Sequence, residues 1–344
     1  MKKKAILLFL SALMLTGCNQ TPSTTVVDNA PVETTQDKVE ETIDVENLPQ
    51  ISMYEEEINQ TLELGEVTLT INGIVAKPDT TDGLYTYFAE FKDYEKYLNN
   101  MFFLFGEYED RKYLEAEAYY RVDVPEIEYW GHLYADINGT GGVKYYYVPR
   151  PVAEDKRRVE LSNEEAIAIA DDTLSRIGVT EVVYDTCIYE EEYIQITPEG
   201  TPAATLGDRL HIYYLQKLQG VPVRSALTTK RKNLITTVSF SSSGISNAKV
   251  SVLEYDPYYK IENCISYEEA LEKFKETVAK ESSFNGININ KVMFEYTLVN
   301  EYVDGEFITI SVPCWHFYRE VPLWMGYSEV DVVVNAITGE TTIL

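Results

Sequence analysis

A short motif that occurs twice, 104 positions apart, constrains the fold of this chain more than any other feature. Residues 161–166 are Leu-Ser-Asn-Glu-Glu-Ala, and residues 265–270 are Ile-Ser-Tyr-Glu-Glu-Ala. In both copies a serine precedes a glutamate by three residues. This is the capping box, whose hydroxyl and carboxylate satisfy backbone N–H groups at the start of a helix. The repeat therefore predicts two helices that begin at equivalent points of a duplicated unit.

Apolar residues follow each motif at helical spacing, so each predicted helix has one face that can lie across a sheet. The first face comprises Ala166, Ile167, Ala170, Thr173, Leu174 and Ile177, and the second comprises Ala270, Leu271, Phe274 and Val278. Segments with strand character follow both helices in the same order. They are 210–214, 220–223 and 234–240 in the first copy and 314–317, 320–323 and 330–334 in the second.

The second copy resembles the PepSY-type module, a small helix-on-antiparallel-sheet unit of secreted and membrane-attached bacterial proteins. The resemblance rests on the Ser-Tyr-Glu-Glu-Ala helix start, on the strand with Trp315, and on the closing Asn-Ala-Ile-Thr-Gly-Glu at 335–340. The first copy matches more loosely, with Ser-Ser-Ser-Gly at 241–244. PepSY-type modules are associated with peptidase inhibition and signalling control, and the resemblance implies a regulatory role of that kind.

Residues 48–148 have a different pattern, with short alternating segments rich in Tyr, Phe, Val and Ile and turn signals at Asp82-Gly83 and Asn138-Gly139. Such alternation indicates antiparallel strands and hairpins. We therefore expect an α+β protein with a β-rich N-terminal domain (48–150) followed by two PepSY-like helix-on-antiparallel-sheet modules (151–256 and 257–344).

The N-terminus has the pattern of an export signal. Lys2, Lys3 and Lys4 precede an apolar run, 5–15, that is too short to span a bilayer. Leu-Thr-Gly-Cys at 15–18 resembles the bacterial lipobox, in which the cysteine receives a diacylglycerol with palmitate-type chains before cleavage. The sequence therefore predicts a signal peptide over 1–17 and lipidation of Cys18. Together with the tandem repeat, this resembles uncharacterised lipoproteins of Gram-positive bacteria.

Residues 19–47 contain no aromatic residue and no sustained period, which indicates that 18–47 is a disordered tether. Two acyl chains form a stable anchor without a transmembrane helix, because each buried CH₂ contributes about 0.8 kcal/mol. We expect a lipid-anchored protein on the extracytoplasmic face of the cell membrane, with membrane lipid as its first partner.

The charge of the chain limits its other partners. Its formal net charge is −27 before the lysines of the signal are removed. An acidic surface disfavours nucleic acid and electrostatic adhesion to anionic lipid. The charge serves either general solubility or a cationic partner.

Three cysteines remain besides Cys18, and they are Cys187, Cys264 and Cys314. An odd number permits one bridge at most, and the sequence does not choose a pairing. Buried, unpaired cysteines are the alternative.

No catalytic or metal-binding constellation is found in the sequence, so no catalytic residue, metal or cofactor is predicted. The histidines, His132, His211 and His316, are isolated, and the last two are expected to be structural. Ser246-Asn247-Ala248-Lys249 matches Ser-x-x-Lys, but within a predicted strand and without the companion motifs of penicillin-binding enzymes. The runs Glu55-Glu56-Glu57 and Glu190-Glu191-Glu192 are interpreted as solvated faces.

The aromatic residues leave two interpretations open. The 27 tyrosines, with Tyr145 and Tyr147 sharing a strand face, suit half-buried strands or a ligand surface. Trp130, Trp315 and Trp324 are expected to anchor core or rim. We therefore predict a non-enzymatic lipoprotein that binds or regulates another envelope protein, with binding of a cell-envelope glycan or small ligand as the alternative.

Overall fold

A computed structural model describes residues 48–90, 158–190, 207–224, 235–242, 244–303, 306–319 and 329–344, together with 97, 99–101 and 104. It also gives the backbone of short strands between 112 and 147 and between 194 and 205. The signal peptide, Cys18 and the tether lie outside the described residues.

The described strands are numbered along the chain. They are β1 (Met53–Leu64), β2 (Val67–Pro78), β3 (Tyr85–Glu90), β4 (Lys112–Leu114), β5 (Tyr119–Val124), β6 (Tyr129–Asp136), β7 (Gly142–Tyr147), β8 (Val182–Glu190), β9 (Ile194–Ile196), β10 (Pro202–Thr205), β11 (Arg209–Leu218), β12 (Val221–Arg224), β13 (Thr236–Ser241), β14 (Gly244–Val250), β15 (Glu254–Lys260), β16 (Asn288–Val303), β17 (Glu306–Arg319), β18 (Glu329–Asn335) and β19 (Thr341–Ile343). The helices are α1 (Asn163–Ile177) and α2 (Tyr267–Val278), with a 3₁₀ turn at Ser282–Phe284.

Seventeen of these strands belong to one sheet, and β9 and β10 form a separate pair. One run of antiparallel neighbours is β8-β11-β13-β14-β7-β6-β5-β4. A second run is β1-β2-β16-β17-β18-β19, in which the β2–β16 pair is parallel. The runs are joined by β12, which pairs antiparallel with β11 and parallel with β16.

The predicted α+β fold of a β-rich domain and two PepSY-like helix-on-sheet modules is wrong. The described chain is mostly strand, and strands from the three expected parts join one sheet. From the expected N-terminal domain, β3 pairs with β15 and β17, and β7 pairs with β14. The physical reason is that separate small sheets would leave open backbone edges, which pairing between the parts satisfies. The boundaries drawn from the sequence stay predictions.

Both predicted helix starts are confirmed. The Ser162 hydroxyl accepts from the Glu165 N–H at 3.2 Å, and the Ser162 N–H donates to the Glu165 carboxylate at 3.0 Å. Ser266 and Glu269 form the same pair of bonds at 3.2 and 2.8 Å. The predicted apolar faces are buried against strands, and in α2 the Phe274 ring stacks on Phe317 at 4.2 Å between centroids.

The start of β1 is fixed to the β11–β12 hairpin by Gln219, whose backbone has a positive φ of 49°. The Ile51 N–H donates to the Gln219 carbonyl at 2.7 Å. The Gln219 amide donates to the Pro49 and Gly83 carbonyls at 3.1 and 2.9 Å, and its oxygen accepts from the Tyr87 hydroxyl at 2.7 Å. A buried amide with this many partners holds the entry to β1 in one position.

Candidate functional site

The most distinctive surface of the described chain is the outer edge of β1. This strand pairs with β2 over all twelve residues without a register shift. Among the described strands only β2 has a residue register with β1, and the β11–β12 turn reaches this side only at Ile51, just before the strand begins. An edge of this length presents a row of backbone donors and acceptors to which another chain can add.

The backbone of β1 has a defined orientation toward this edge. At its start, the Asp79 N–H donates to the Ser52 carbonyl at 2.9 Å. At its end, a two-residue turn at Gly65 and Glu66, with Gly65 at φ +70°, places Leu64 opposite Val67. Both ends make the even-numbered residues the hydrogen-bonded partners of β2, since the pattern alternates along an antiparallel pair. The backbone N–H and C=O groups of residues 53, 55, 57, 59, 61 and 63 therefore point to the open edge.

From Ile58 onward the side chains of β1 divide in the same way, whereas at its start Met53 packs against the core and Tyr54 and Glu56 are exposed. The even-numbered Leu62 is buried and Ile58 packs partly against the core, whereas Glu55, Glu57 and Glu63 are exposed on the opposite face. Lys77 of β2 lies 2.7 Å from the Glu56 carboxylate, on the core-facing side. Among the described residues, no cation forms an ion pair with Glu55, Glu57 or Glu63. The residues that expose their backbone groups thus also carry an acidic face. All of Glu55, Glu56 and Glu57 are exposed, as the sequence predicted, but Glu56 lies on the other face of the strand.

The edge of β8 differs in kind from that of β1. Among the described strands it pairs only with β11, and its register shifts next to Asp185. The bulged Asp185 turns toward the interior and binds Arg224. Bulges and inward charges are devices that close an edge to other strands. The edges at β4 and β19 are each three residues long. The seven-residue β15 pairs only with β3 among the described strands, and its register shifts between Pro257 and Tyr259. β1 is therefore the longest regular edge of the described sheet.

A buried charge network joins the two runs of the sheet. Arg224, at the end of β12, donates to both oxygens of Asp185 from β8 at 3.2 and 3.0 Å. It also donates to both oxygens of Glu295 from β16 at 3.3 and 3.0 Å. From β17, Tyr318 donates its hydroxyl to Glu295, and His316 Nδ1 lies 3.1 Å from the same carboxylate. Bidentate pairs of this kind are strong and geometrically specific.

The network members control one another's ionisation. The Glu295 side chain is completely buried. Burial alone would raise its pKa, but Arg224 and His316 hold that pKa well below its usual range. Burial opposes the charge of Arg224 as well, yet Glu295, Tyr318 and Asp185 keep its pKa well above normal. The groups satisfy one another, so the network is a structural joint between β8, β12, β16 and β17.

The two described histidines have protein partners. His211 Nδ1 lies 2.8 Å from the Ser239 hydroxyl, and Nε2 lies 3.4 Å from Glu190. Burial lowers the pKa of His211 more than Glu190 raises it, so the ring is neutral near pH 7. His316 belongs to the charge network, and the side chain of His132 lies outside the described residues. Within the described ranges, no three His, Cys, Asp or Glu side chains are placed to hold a metal ion.

All three cysteines after Cys18 are free thiols, which is the alternative the sequence left open. Burial raises the pKa of Cys264 to about 11 and that of Cys314 to about 12. Cys187 is half-buried beside Asn163, with 3.5 Å between Sγ and Oδ1. Burial that raises a thiol pKa lowers the fraction of the reactive thiolate.

The remaining candidate residues fall into two groups. Ser246 is buried in β14, as the predicted strand required, and donates to the Ser239 carbonyl at 3.3 Å. Trp315 is in the core and donates its Nε1–H to the Ile265 carbonyl at 3.1 Å. Cys18, Trp324, Glu191 and Glu192 lie outside the described residues, as do the side chains of Trp130, Tyr145 and Tyr147.

Comparisons with known proteins leave the site to be interpreted from its own residues. No family model and no curated protein matches the chain. Among solved structures, it is similar to an uncharacterised protein from Eubacterium rectale ATCC 33656, with 15% identity, 83% of this chain and 93% of that chain covered, and a TM-score of 0.48. It is also similar to YycH from Bacillus subtilis, with 10% identity, 74% and 57% covered, and a TM-score of 0.38. Similarity at this level assigns no function.

Proposed function

We propose that this chain is a non-enzymatic lipoprotein of the bacterial cell envelope that binds another envelope protein along the open edge of β1. Its anchor is the diacylglycerol on Cys18, which holds it at the extracytoplasmic face of the membrane. The acidic tether over 18–47 gives the folded part reach, since a flexible coil of about thirty residues spans roughly 30 Å. No helix in the described part of the chain is long and apolar enough to cross a membrane.

The observation that carries the binding role is the regular twelve-residue register between β1 and β2, with no described strand on the other side of β1. Natural sheets usually shorten, bulge, cover or charge such an edge, and here β8 is bulged whereas β1 stays long and regular and carries exposed glutamates. A long open edge is useful to a protein when a strand of another chain adds to it and binds its backbone groups. Main-chain hydrogen bonds then supply the contact, and side chains supply the choice of partner.

The anchoring part of the proposal predicts the behaviour of Cys18→Ser. A serine cannot form the thioether to diacylglycerol, so the variant should lose incorporation of labelled palmitate and leave the membrane fraction. Cell fractionation with immunoblotting measures this, and Cys187→Ser is the matched control because Cys187 lies within the fold. A Cys18→Ser protein that still carries labelled palmitate would contradict the anchor.

The binding part is tested by photocrosslinking in intact cells. A benzoylphenylalanine at the exposed Asn59 should give a discrete protein adduct, whereas the same probe at the exposed Ser175 of α1 should not. The adduct should disappear with Thr61→Pro and persist with Thr61→Val. The backbone N–H of residue 61 points to the open edge, so proline removes a docking donor without removing a β1–β2 hydrogen bond. Equal adducts from both probe positions, or an adduct that survives Thr61→Pro, would reject β1 as the binding edge.

A further inference from the structure

We infer that the partner pairs with β1 through an extended basic segment that runs antiparallel to it. This inference rests on the proposed function and adds the chemistry of the partner. It comes from three glutamates of β1, Glu55, Glu57 and Glu63, whose own backbone N–H and C=O groups face the open edge.

Negative charge lies along the open edge of β1. Glu55, Glu57 and Glu63 are odd-numbered and exposed, so each lies beside the backbone groups that a docked strand would bind. A residue directly opposite each glutamate would have its Cβ about 5 Å away. Opposite charges at such positions attract, and like charges repel. The chain as a whole, with a formal charge of −27, adds to the attraction for a basic segment.

The glutamates also disfavour the pairing of β1 with a second copy of this chain. Antiparallel self-pairing centred on Asn59 would place Glu55 opposite Glu63, and pairing centred on Glu56 would place Glu55 opposite Glu57. Both registers bring carboxylates together. Pairing centred on Ile58 places Glu55 opposite Thr61 and Glu57 opposite Asn59, so in that register the carboxylates repel only at longer diagonal distances. The glutamates therefore disfavour self-pairing without forbidding it, as charged residues do on edges in other sheets. The same glutamates attract a strand that carries positively charged side chains.

The spacing of the three glutamates sets the spacing of basic residues in the partner segment. In an antiparallel strand the residues opposite Glu63, Glu57 and Glu55 occupy the first, seventh and ninth positions of a nine-residue stretch. A parallel strand would need its basic residues at the first, third and ninth positions. On the other face of β1, Ile58 and Leu62 pack against or belong to the core, and Glu56 and Gln60 alternate with them. The matching segment thus has lysine or arginine on one face and apolar residues on the other face where it lies beside Ile58 and Leu62.

Antiparallel pairing is the more stable arrangement at this edge, although the sheet is mixed and β2 pairs antiparallel with β1 and parallel with β16. β1 already has the alternating close and wide hydrogen-bond spacing of an antiparallel ladder with β2. A second antiparallel neighbour continues this pattern, and antiparallel pairs are slightly more stable per residue than parallel ones.

The test measures the binding of two labelled peptides to the full-length protein by fluorescence anisotropy. Both have the same composition, with lysines at the first, seventh and ninth positions in one and at the first, third and ninth in the other. The antiparallel pattern should bind about threefold more tightly, since one additional charge pair is formed. Its affinity should fall when salt is raised from about 0.01 M to about 0.15 M, because the Debye length shortens from about 30 Å to about 8 Å.

Two matched variants separate the edge from the overall charge. Glu55→Gln/Glu57→Gln/Glu63→Gln should bind the antiparallel peptide about tenfold more weakly. Glu164→Gln/Glu262→Gln/Glu340→Gln removes the same charge from exposed positions outside β1 and should change the affinity less than twofold. Circular dichroism confirms that both variants fold. The inference would be overturned if neither peptide bound, or if both variants lost the same amount of affinity.

The outcomes also distinguish this inference from the proposed function. A crosslinked partner at Asn59 with no effect of the three β1 glutamates would leave an edge-binding protein whose partner is not basic. Peptide binding at the edge with no crosslinked partner in cells would leave the basic preference and reject the cellular role. A concentration-dependent dimer that the glutamate variant strengthens would confirm that these charges act against self-pairing.

Discussion

Arg224→Met is expected to destabilise the protein by about 3–5 kcal/mol. The substitution leaves Asp185 and the fully buried Glu295 without the cation that binds both carboxylates. Glu295→Gln should cost less, because Arg224 keeps its pair with Asp185 and the glutamine still accepts hydrogen bonds. Urea unfolding followed by circular dichroism gives the free energies. A loss below about 1 kcal/mol, the level of an exposed ion pair, would contradict the buried joint.

The same network predicts that the stability of the native chain and that of Arg224→Met change with pH in opposite directions. In the native chain, the folded pKa of Glu295 lies below its unfolded value of about 4.3. Its contribution to stability is therefore complete above about pH 4.3 and is lost as the pH falls below that value. In Arg224→Met, burial governs and raises the folded pKa of Glu295 above its unfolded value. That variant should become more stable as the pH falls from about 7 to about 5.

The triple variant Arg224→Met/Asp185→Asn/Glu295→Gln is the control for this interpretation. It removes the uncompensated charges together with the cation, so it should recover most of the stability lost in Arg224→Met. A triple variant as unstable as the single one would show that Arg224 acts through packing, for instance on the Tyr318 ring 5.4 Å away.

Gly73→Ala should have the second largest effect, a loss of about 3 kcal/mol. The β2–β16 pair shifts register between Ile289 and Lys291, which brings Gly73 against Asn290. A β-carbon on Gly73 would lie 1.7 Å from the Asn290 carbonyl oxygen, a contact with backbone that no side-chain rotation relieves. Thermal and urea unfolding measure the loss.

Asn72→Ala provides the matched control, since Asn72 is the exposed neighbour of Gly73 on the same strand. Its effect should stay within about 0.5 kcal/mol. Gly73→Ala and Asn72→Ala proteins of equal stability would mean that β2 and β16 do not approach as closely as described.

The local parts of the fold could be predicted because four adjacent residues decide them. Ser162 with Glu165, and Ser266 with Glu269, form their capping boxes from residues three positions apart. No short sequence motif predicts which distant strands pair to form the single large sheet. Alternation identifies β2 and β16 as strands, but their side-chain bond from Thr70 to Asn288 spans 218 positions. The PepSY-type resemblance suggested that each repeat closes on itself, whereas β12 and β2 both pair with β16.

The charge network was missed for a related reason. Arg224 follows an apolar strand in Val-Pro-Val-Arg, and its partners lie 39 and 71 positions away. One signal was available, because Glu295 interrupts an apolar strand between Phe294 and Tyr296. A charge in such a strand is rarely buried without a partner. For Glu55-Glu56-Glu57 the exposure was predicted correctly, but the sequence does not state which strand is an edge.

The open edge of β1 is tested most directly by amide hydrogen exchange in the full-length protein with and without the antiparallel basic peptide. Even-numbered amides of β1 already face β2 and should change little when the peptide binds. The amides of residues 55, 57, 59, 61 and 63 point to the open edge, so the docked peptide should protect them. Their exchange rates should fall by about tenfold or more, which corresponds to a protection free energy of about 1.4 kcal/mol. Protection of even and odd amides alike, or protection confined to another strand such as β8, would contradict docking on the open edge of β1.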